Sequence, residues 1–133
     1  MKLLLGLSLF SIARASISDC SNGASLFKIS SMSFLPDPPV LGTNSTLLLS
    51  MDVPEEISGG TVTYSVTYNF IPFSPTVEDL CLALTCPILV GDLDTISSIP
   101  FDPSLSGTLS FKIEWKDITN RQLLCVNIKT KLP

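Results

Sequence analysis

The chain carries twelve acidic against eight basic residues over 133 positions, a net charge of −4, with no histidine and four cysteines. This length suits one domain rather than two. An acidic balance without a lysine- or arginine-rich run excludes a nucleic-acid binder, which needs clustered cations to displace counterions.

In chain order, residues 1–15, MKLLLGLSLFSIARA, place Lys2 before an apolar run from Leu3 to Ile12 and close on Ala13-Arg14-Ala15. A charged start, a hydrophobic stretch too short for a bilayer and an A-x-A site predict a signal peptide, 1–15, ahead of one domain, 16–133. Losing Lys2 and Arg14 leaves six basic residues against twelve acids, a net −6. Anionic membranes repel such a surface at neutral pH, and less so in an acidic lumen where carboxylates take up protons. No later stretch reaches the ~20 apolar residues of a membrane span.

Beyond residue 15, turn signals alternate with period-two runs, which predicts a small all-β sandwich or barrel. Early strands are expected over residues 26–34 and 46–53, the latter turning Leu47, Leu49, Met51 and Val53 to one face. Asn44-Ser45-Thr46 is a glycosylation sequon at the turn before that strand. The clearest strand covers 61–70, with Val62, Tyr64, Val66, Tyr68 and Phe70 opposite Thr61, Thr63, Ser65 and Thr67. Its phase slips between Phe70 and Ile71, and Pro72 marks an edge or bulge, leaving Phe73 at a rim. Shorter strands are expected at 88–90 and 95–100. A strand over 108–116 alternates Leu109, Phe111, Ile113 and Trp115 with polar residues, and a last one over 122–132 turns Leu124, Val126, Ile128 and Leu132 one way. Pro36-Asp37-Pro38-Pro39 with Gly42, Ser58-Gly59-Gly60, Asp102-Pro103 with Gly107, and residues 117–121 supply the turns. About seven antiparallel strands in two packed sheets is the natural architecture.

The cysteines are Cys20, Cys81, Cys86 and Cys125. An even count behind a signal peptide reads as a disulfide framework. Of three possible pairings, spacing favours Cys81–Cys86 and Cys20–Cys125. A zinc site would want histidines or two close cysteine pairs, and a thioredoxin-like pair is separated by two residues, not four.

Catalytic chemistry is hard to find. With no histidine and four paired thiols, the usual base and nucleophile are missing. Gly59-Gly60 lacks the spacing of a phosphate loop. Glu55-Glu56 and Asp92/Asp94 are the close acid pairs, and two carboxylates fall short of the oxygens a calcium ion takes. These readings predict a protein that is not an enzyme and holds no cofactor or metal. Apolar types make up 45% of the chain, but alternation alone does not distinguish a filled sandwich from a hollow one.

An ordered set of motifs runs along the chain: Asp19-Cys20, PDPPVLG at 36–42, GGTVTYSVTY at 59–68, IPF at 71–73, DLCLALTCPILVGD at 79–92, IPF at 99–101 and LLCVNI at 123–128. Together they resemble the ML lipid-recognition family, which includes Niemann–Pick-type sterol carriers and phosphatidylglycerol/phosphatidylinositol transfer proteins. The resemblance implies an immunoglobulin-like β-sandwich whose sheets splay apart around a lipid, and it carries the same disulfide scheme. The sterol carriers of animals have a further cysteine pair where this chain has PDPPVLG, so the chain looks more like the plant and fungal branch. In those carriers a Pro–Phe step eight residues before the motif's first cysteine lines the tunnel mouth. Here that step is Pro72-Phe73, with Ile71 beside it. The far side of the mouth would hold the segment Ile99-Pro100-Phe101, and an aromatic of the family a few residues later is matched here by Leu105. The inward rows Tyr64, Val66, Tyr68, Leu109, Phe111, Ile113 and Trp115 would then be wall residues.

The resemblance implies a secreted, vacuolar or lysosomal monomer that holds one phospholipid or sterol and moves it between membranes through transient contact. Its rivals are a lipid-presenting co-receptor of the same fold, a lipid-activator protein with a wider cup and more cysteines, and an enzyme. An exposed apolar patch away from the mouth would favour the first of these.

Overall fold

The computed structural model describes residues 15–133, so the expected signal peptide, but for Ala15, lies outside the described residues. Nine strands and one helical turn follow one another: β1 (Ser16–Asp19), β2 (Lys28–Leu35), β3 (Asn44–Val53), β4 (Gly60–Tyr68), β5 (Ile71–Pro72), β6 (Thr76–Asp79), α1 (Leu80–Ala83), β7 (Gly91–Pro100), β8 (Gly107–Asp117) and β9 (Gln122–Leu132). The larger sheet has the order β1-β9-β8-β4, with β5 and β6 sharing the far edge of β4, and the smaller has the order β2-β3-β7. All pairings are antiparallel. The two layers form an immunoglobulin-like β-sandwich.

The expected strands at 46–53, 61–70, 108–116 and 122–132 all form, because each alternates apolar and polar side chains with the period of a pleated ribbon. Three short strands, β1, β5 and β6, escape the sequence reading. β5 and β6 are exposed throughout and β1 alternates over only four residues, so the ladder defines them. Residues 88–90 are not a strand: only Ile88 pairs, with Ile57, while Leu89 and Val90 lie on the surface. Strand β7 starts four residues earlier than expected, at Gly91, because Asp92 and Asp94 alternate with inward-facing Leu93 and Thr95 against β3.

Burial is graded along the sandwich. In the β4–β8 ladder, Val62 lies opposite Trp115, Tyr64 opposite Ile113, Val66 opposite Phe111 and Tyr68 opposite Leu109. Val62, Ile113 and Trp115 are buried, whereas Tyr64, Val66, Tyr68, Leu109 and Phe111 are only half-buried. The Trp115 end is filled by Phe27, Met51, Val53, Leu80 and Leu124 among others, and Phe27 meets the Trp115 ring edge-on at 6.2 Å. Each such side chain contributes about 1.5–3 kcal/mol on burial.

Cys20 and Cys125 are bonded across a separation of 105 residues, and Cys81 and Cys86 across 5. The long bridge contributes roughly 4–5 kcal/mol in the chain-entropy account. It fastens the segment after β1 to β9, where the Cys20 N–H also donates to the Cys125 carbonyl at 3.0 Å. The short bridge closes a loop around α1. Asp79 accepts from the Cys81 N–H at 2.8 Å to start that turn, and Leu80 is fully buried beneath it.

At the same filled end, Asp117 closes the β8–β9 hairpin. It accepts from Thr119 Oγ1, the backbone N–H groups of Thr119 and Arg121, and Arg121 Nε at 3.0 Å, while Arg121 reaches Glu55 at 2.6 Å. The Thr119 hydroxyl, then the Arg121 donors, hold the Asp117 carboxyl at about 2. Gly60 must be glycine, because a Cβ there would strike the Lys116 carbonyl.

Candidate functional site: an apolar cavity between the sheets

At the other end the layers part. Strand β7 is an edge of the small sheet and β4 carries only the short β5 and β6 on its outer side, so neither sheet closes the seam between them. Behind that seam lies a cavity of about 400 Å³, lined by Phe34, Tyr64, Val66, Tyr68, Phe73, Ser97, Ser98, Ile99, Pro100, Phe101, Leu105, Leu109, Phe111, Ile113, Ile128 and Thr130. Its volume is that of a small-ligand pocket, and almost every wall is aliphatic or aromatic. Among the described residues, no lysine, arginine or carboxylate lines it.

The alternation of β4 and β8 is what aims Tyr64, Val66, Tyr68, Leu109, Phe111 and Ile113 inward. Phe101 is held by its backbone: its N–H donates to the Thr43 carbonyl at 3.0 Å and its carbonyl accepts from Gly42 at 2.7 Å. The PDPPVLG loop therefore clamps Phe101, whose ring meets Phe34 edge-on at 6.1 Å. The Tyr68 hydroxyl accepts from the Ser106 N–H at 2.9 Å and ties the loop bearing Leu105 to the wall.

The rim is built by the β4–β5 turn. Asn69 and Phe70 both have positive φ, 49° and 67°, the conformation a two-residue type I′ hairpin requires. Asn69 suits it: its side chain donates to the Ser106 carbonyl and accepts from the Thr108 N–H at 2.9 Å. Phe70 does not suit it, since a bulky residue is strained there, yet its ring stands 83% exposed at the tip. Phe73 donates its N–H to the Val66 carbonyl at 2.8 Å and lies half in the mouth, 54% exposed.

Four expected positions differ. Ile71 does not reach the cavity; it pairs with Tyr68 at the sheet edge and faces solvent. Trp115 is not a wall of the main cavity; it packs edge-on against Phe27 and borders the second, smaller hollow instead. Phe101 lines the interior and is buried, so it does not stand at the rim. Phe70, expected to continue the inward row, is turned out by the hairpin. Ile99 and Pro100 line the cavity beside Phe101, while Phe34, Ser97, Ser98, Ile128 and Thr130 line it without having been picked out. One signal was present: Thr130 interrupts the apolar row of β9, and its buried Oγ1 has no hydrogen-bond partner among the described residues.

A second, smaller hollow of about 330 Å³ adjoins the first under α1, and Tyr64, Ser97 and Ile113 line both. Burial, with the Glu78 carboxylate nearby, raises the Tyr64 phenol above its usual value, so it keeps its proton. Asn44, at the start of β3, is exposed.

The family model described as an ML domain matches residues 14–132. A Dictyostelium discoideum protein, described as a candidate phosphatidylglycerol/phosphatidylinositol transfer protein, is 32% identical over 114 residues, covering 80% of this chain and 77% of that protein. A phosphatidylglycerol/phosphatidylinositol transfer protein of Pyricularia oryzae is 29% identical over 115 residues, covering 80% of this chain and 64% of its own. Among solved structures, a Niemann–Pick type C2 protein from the Japanese carpenter ant superposes with a TM-score of 0.67 at 13% identity, over 89% of this chain and 99% of the other. Chicken MD-1 complexed with lipid IVa gives the same TM-score at 12% identity, over 89% and 88%.

Proposed function

The chain belongs to the ML domain family, and from that premise we propose that it is a secreted or luminal carrier that holds one phospholipid between its sheets and moves it between membranes. The observation that carries this reading is the apolar cavity of about 400 Å³ behind an open seam. Each methylene transferred into it from water contributes about 0.8 kcal/mol. A lining without charge among the described residues suits hydrocarbon. Tyr64, Val66, Tyr68, Phe73, Phe101, Leu105, Leu109, Phe111 and Ile113 are the wall residues in this reading. The choice of phospholipid over sterol follows the names of the Dictyostelium and Pyricularia relatives.

Delivery requires the mouth to meet a membrane. Residues 69–77, NFIPFSPTV, carry no charge, and Phe70, Ile71 and Phe73 are exposed beside the mouth. In this reading they enter the lipid surface while the acidic remainder of the protein stays in water. The predicted cleavage after Ala15 and the two disulfides support an oxidising compartment. The protein acts as a monomer without catalysis.

Secretion from a eukaryotic host, followed by N-terminal sequencing and mass spectrometry of the extracted lipid, tests this. The expected result is a chain starting at Ser16 with one phospholipid per protein. A protein that emerges lipid-free and takes up no acyl probe from vesicles contradicts the carrier reading.

A second reading, a lipid-presenting module gripped by a receptor ectodomain, draws on a different surface. Leu82, Leu89, Val90 and Ile118 are exposed away from the mouth residues, and Cys81 and Ile118 both border Gly59. Stable co-purification with a receptor ectodomain that is lost on Ile118→Asp would favour it.

A further inference from the structure

We propose that the outer face of the larger sheet is a docking surface for anionic bilayers, where Lys112, Lys129 and Lys131 meet lipid phosphates and Phe70 enters beside them. This rests on the carrier reading and adds to it the charge of the membrane and the face that meets it.

Residues 16–133 hold six basic and twelve acidic residues, so net charge alone predicts repulsion from an anionic membrane. The fold separates the two signs. In β8 the apolar residues Leu109, Ile113 and Trp115 turn inward, which leaves Lys112, Glu114 and Lys116 outside. The same alternation in β9 turns Lys129 and Lys131 out. Register then gathers the lysines: Lys131 lies opposite Thr108, Lys129 opposite Ser110 and Lys112 opposite Asn127, on three successive outward rungs of one ladder. Lys112, Lys129 and Lys131 are exposed, and none of the four lysines has an ion-pair partner among the described residues.

The other basic residues are engaged elsewhere. Lys28 donates to the Gly23 and Ser25 carbonyls, and Arg121 donates to Asp117 and Glu55. Among the described residues, two carboxylates share the face with the lysines, and both are occupied. Glu114 accepts from Gln122 Nε2, and Asp79 accepts from the Cys81 N–H. Asp52, Asp92 and Asp94 lie on the opposite surface, the outer face of the smaller sheet. An acidic protein therefore presents one cationic side.

The neighbours of the cluster select a bilayer over a soluble polyanion. The Asn69 N–H donates to the Thr108 carbonyl at 2.7 Å, so the β4–β5 turn, with Phe70 at its tip, adjoins the rung of Lys131. Ammonium groups beside an exposed aromatic ring match phosphates above hydrocarbon, whereas a sulfated polysaccharide would leave the ring in water.

The test is co-sedimentation of the secreted, lipid-free protein at pH 7 and low ionic strength with vesicles of phosphatidylcholine, alone or mixed with phosphatidylserine. Three lysines at roughly fivefold each should make binding to the anionic vesicles about a hundredfold tighter. That preference should vanish toward 1 M salt, where the screening length falls to about 3 Å. The triple variant Lys112→Gln/Lys129→Gln/Lys131→Gln should abolish it, while Lys28→Gln, on the far face, should leave it nearly unchanged. Uptake of a fluorescent acyl probe should be the same in the triple variant as in the parent, since none of the three lysines lines the cavity. Equal binding to both vesicles, or a preference that survives in the triple variant, overturns the docking face while probe uptake still supports the carrier reading. Binding to soluble heparin without binding to anionic vesicles assigns the face to a polyanion and overturns the bilayer. A parent protein that keeps the anionic preference but takes up no probe overturns the carrier reading and leaves the face in place.

Discussion

The rings of Tyr64 and Phe111 stack with centroids 6.0 Å apart and planes 17° from parallel. They come from adjacent strands, β4 and β8, at the level where burial changes from complete to partial. Beyond Trp115, around Phe27, Met51 and Leu124, the sandwich is filled; toward Leu109 it is hollow. The stacked pair adds about 0.5–1.5 kcal/mol beyond its burial, and Tyr64 stands between the main cavity and the smaller hollow under α1.

That division predicts opposite responses to added bulk. Val66→Trp sends its indole into open space, so its cost should stay below the roughly 1–3 kcal/mol of overpacking a dense core. Uptake of a fluorescent acyl probe should fall at least about tenfold, the cavity now being occupied. A variant that unfolds shows the space to be filled in solution, and one that still binds the probe normally shows that the probe sits elsewhere.

Deleting bulk should discriminate the two ends in the other sense. Leu124, fully buried, should cost roughly 2–5 kcal/mol as Leu124→Ala, since a void opens where none existed. Leu109→Ala, on a half-buried wall, should cost about 1 kcal/mol, because it enlarges a space already present. Denaturant unfolding of the lipid-free proteins measures both, and equal costs would contradict the graded core.

The β4–β5 turn predicts a trade between stability and transfer. Phe70 has φ of 67°, a conformation that costs an L-residue about 1–2 kcal/mol and costs glycine little. Phe70→Gly creates the Asn-Gly sequence favoured in type I′ turns and should raise the unfolding midpoint, while inter-vesicle transfer slows severalfold. Probe affinity in solution should be retained, because Phe70 is not among the cavity walls. Transfer as fast as that of the parent protein would remove Phe70 from membrane contact.

Asp117 sets a pH window. Its folded carboxyl sits at about 2, below the unfolded value near 3.9, so its contribution is fully present above about pH 4 and is lost as pH falls through 2. The stability gap between the parent and Asp117→Asn should hold constant from pH 7 to pH 5, then narrow between about pH 4 and pH 2. Urea titrations across that range measure it. A gap that already closes between pH 7 and pH 5 would mean the hairpin hub is not built as described.

The sequence by itself determined the sandwich and which way its long strands face. Period-two alternation is a local property, and Val62 to Tyr68 or Leu109 to Trp115 carry it without reference to anything distant. Turn chemistry at Gly59-Gly60 and around Asp117 is equally local. What only the tertiary structure decided is where the core is filled and where it is empty, since Leu109 and Trp115 occupy the same alternating row and differ only in what faces them. The outward swing of Phe70 and the withdrawal of Ile71 from the mouth share that origin. Each depends on the distance between two sheets and on the unpaired edges of β4 and β7, and strand separation leaves no period in a sequence.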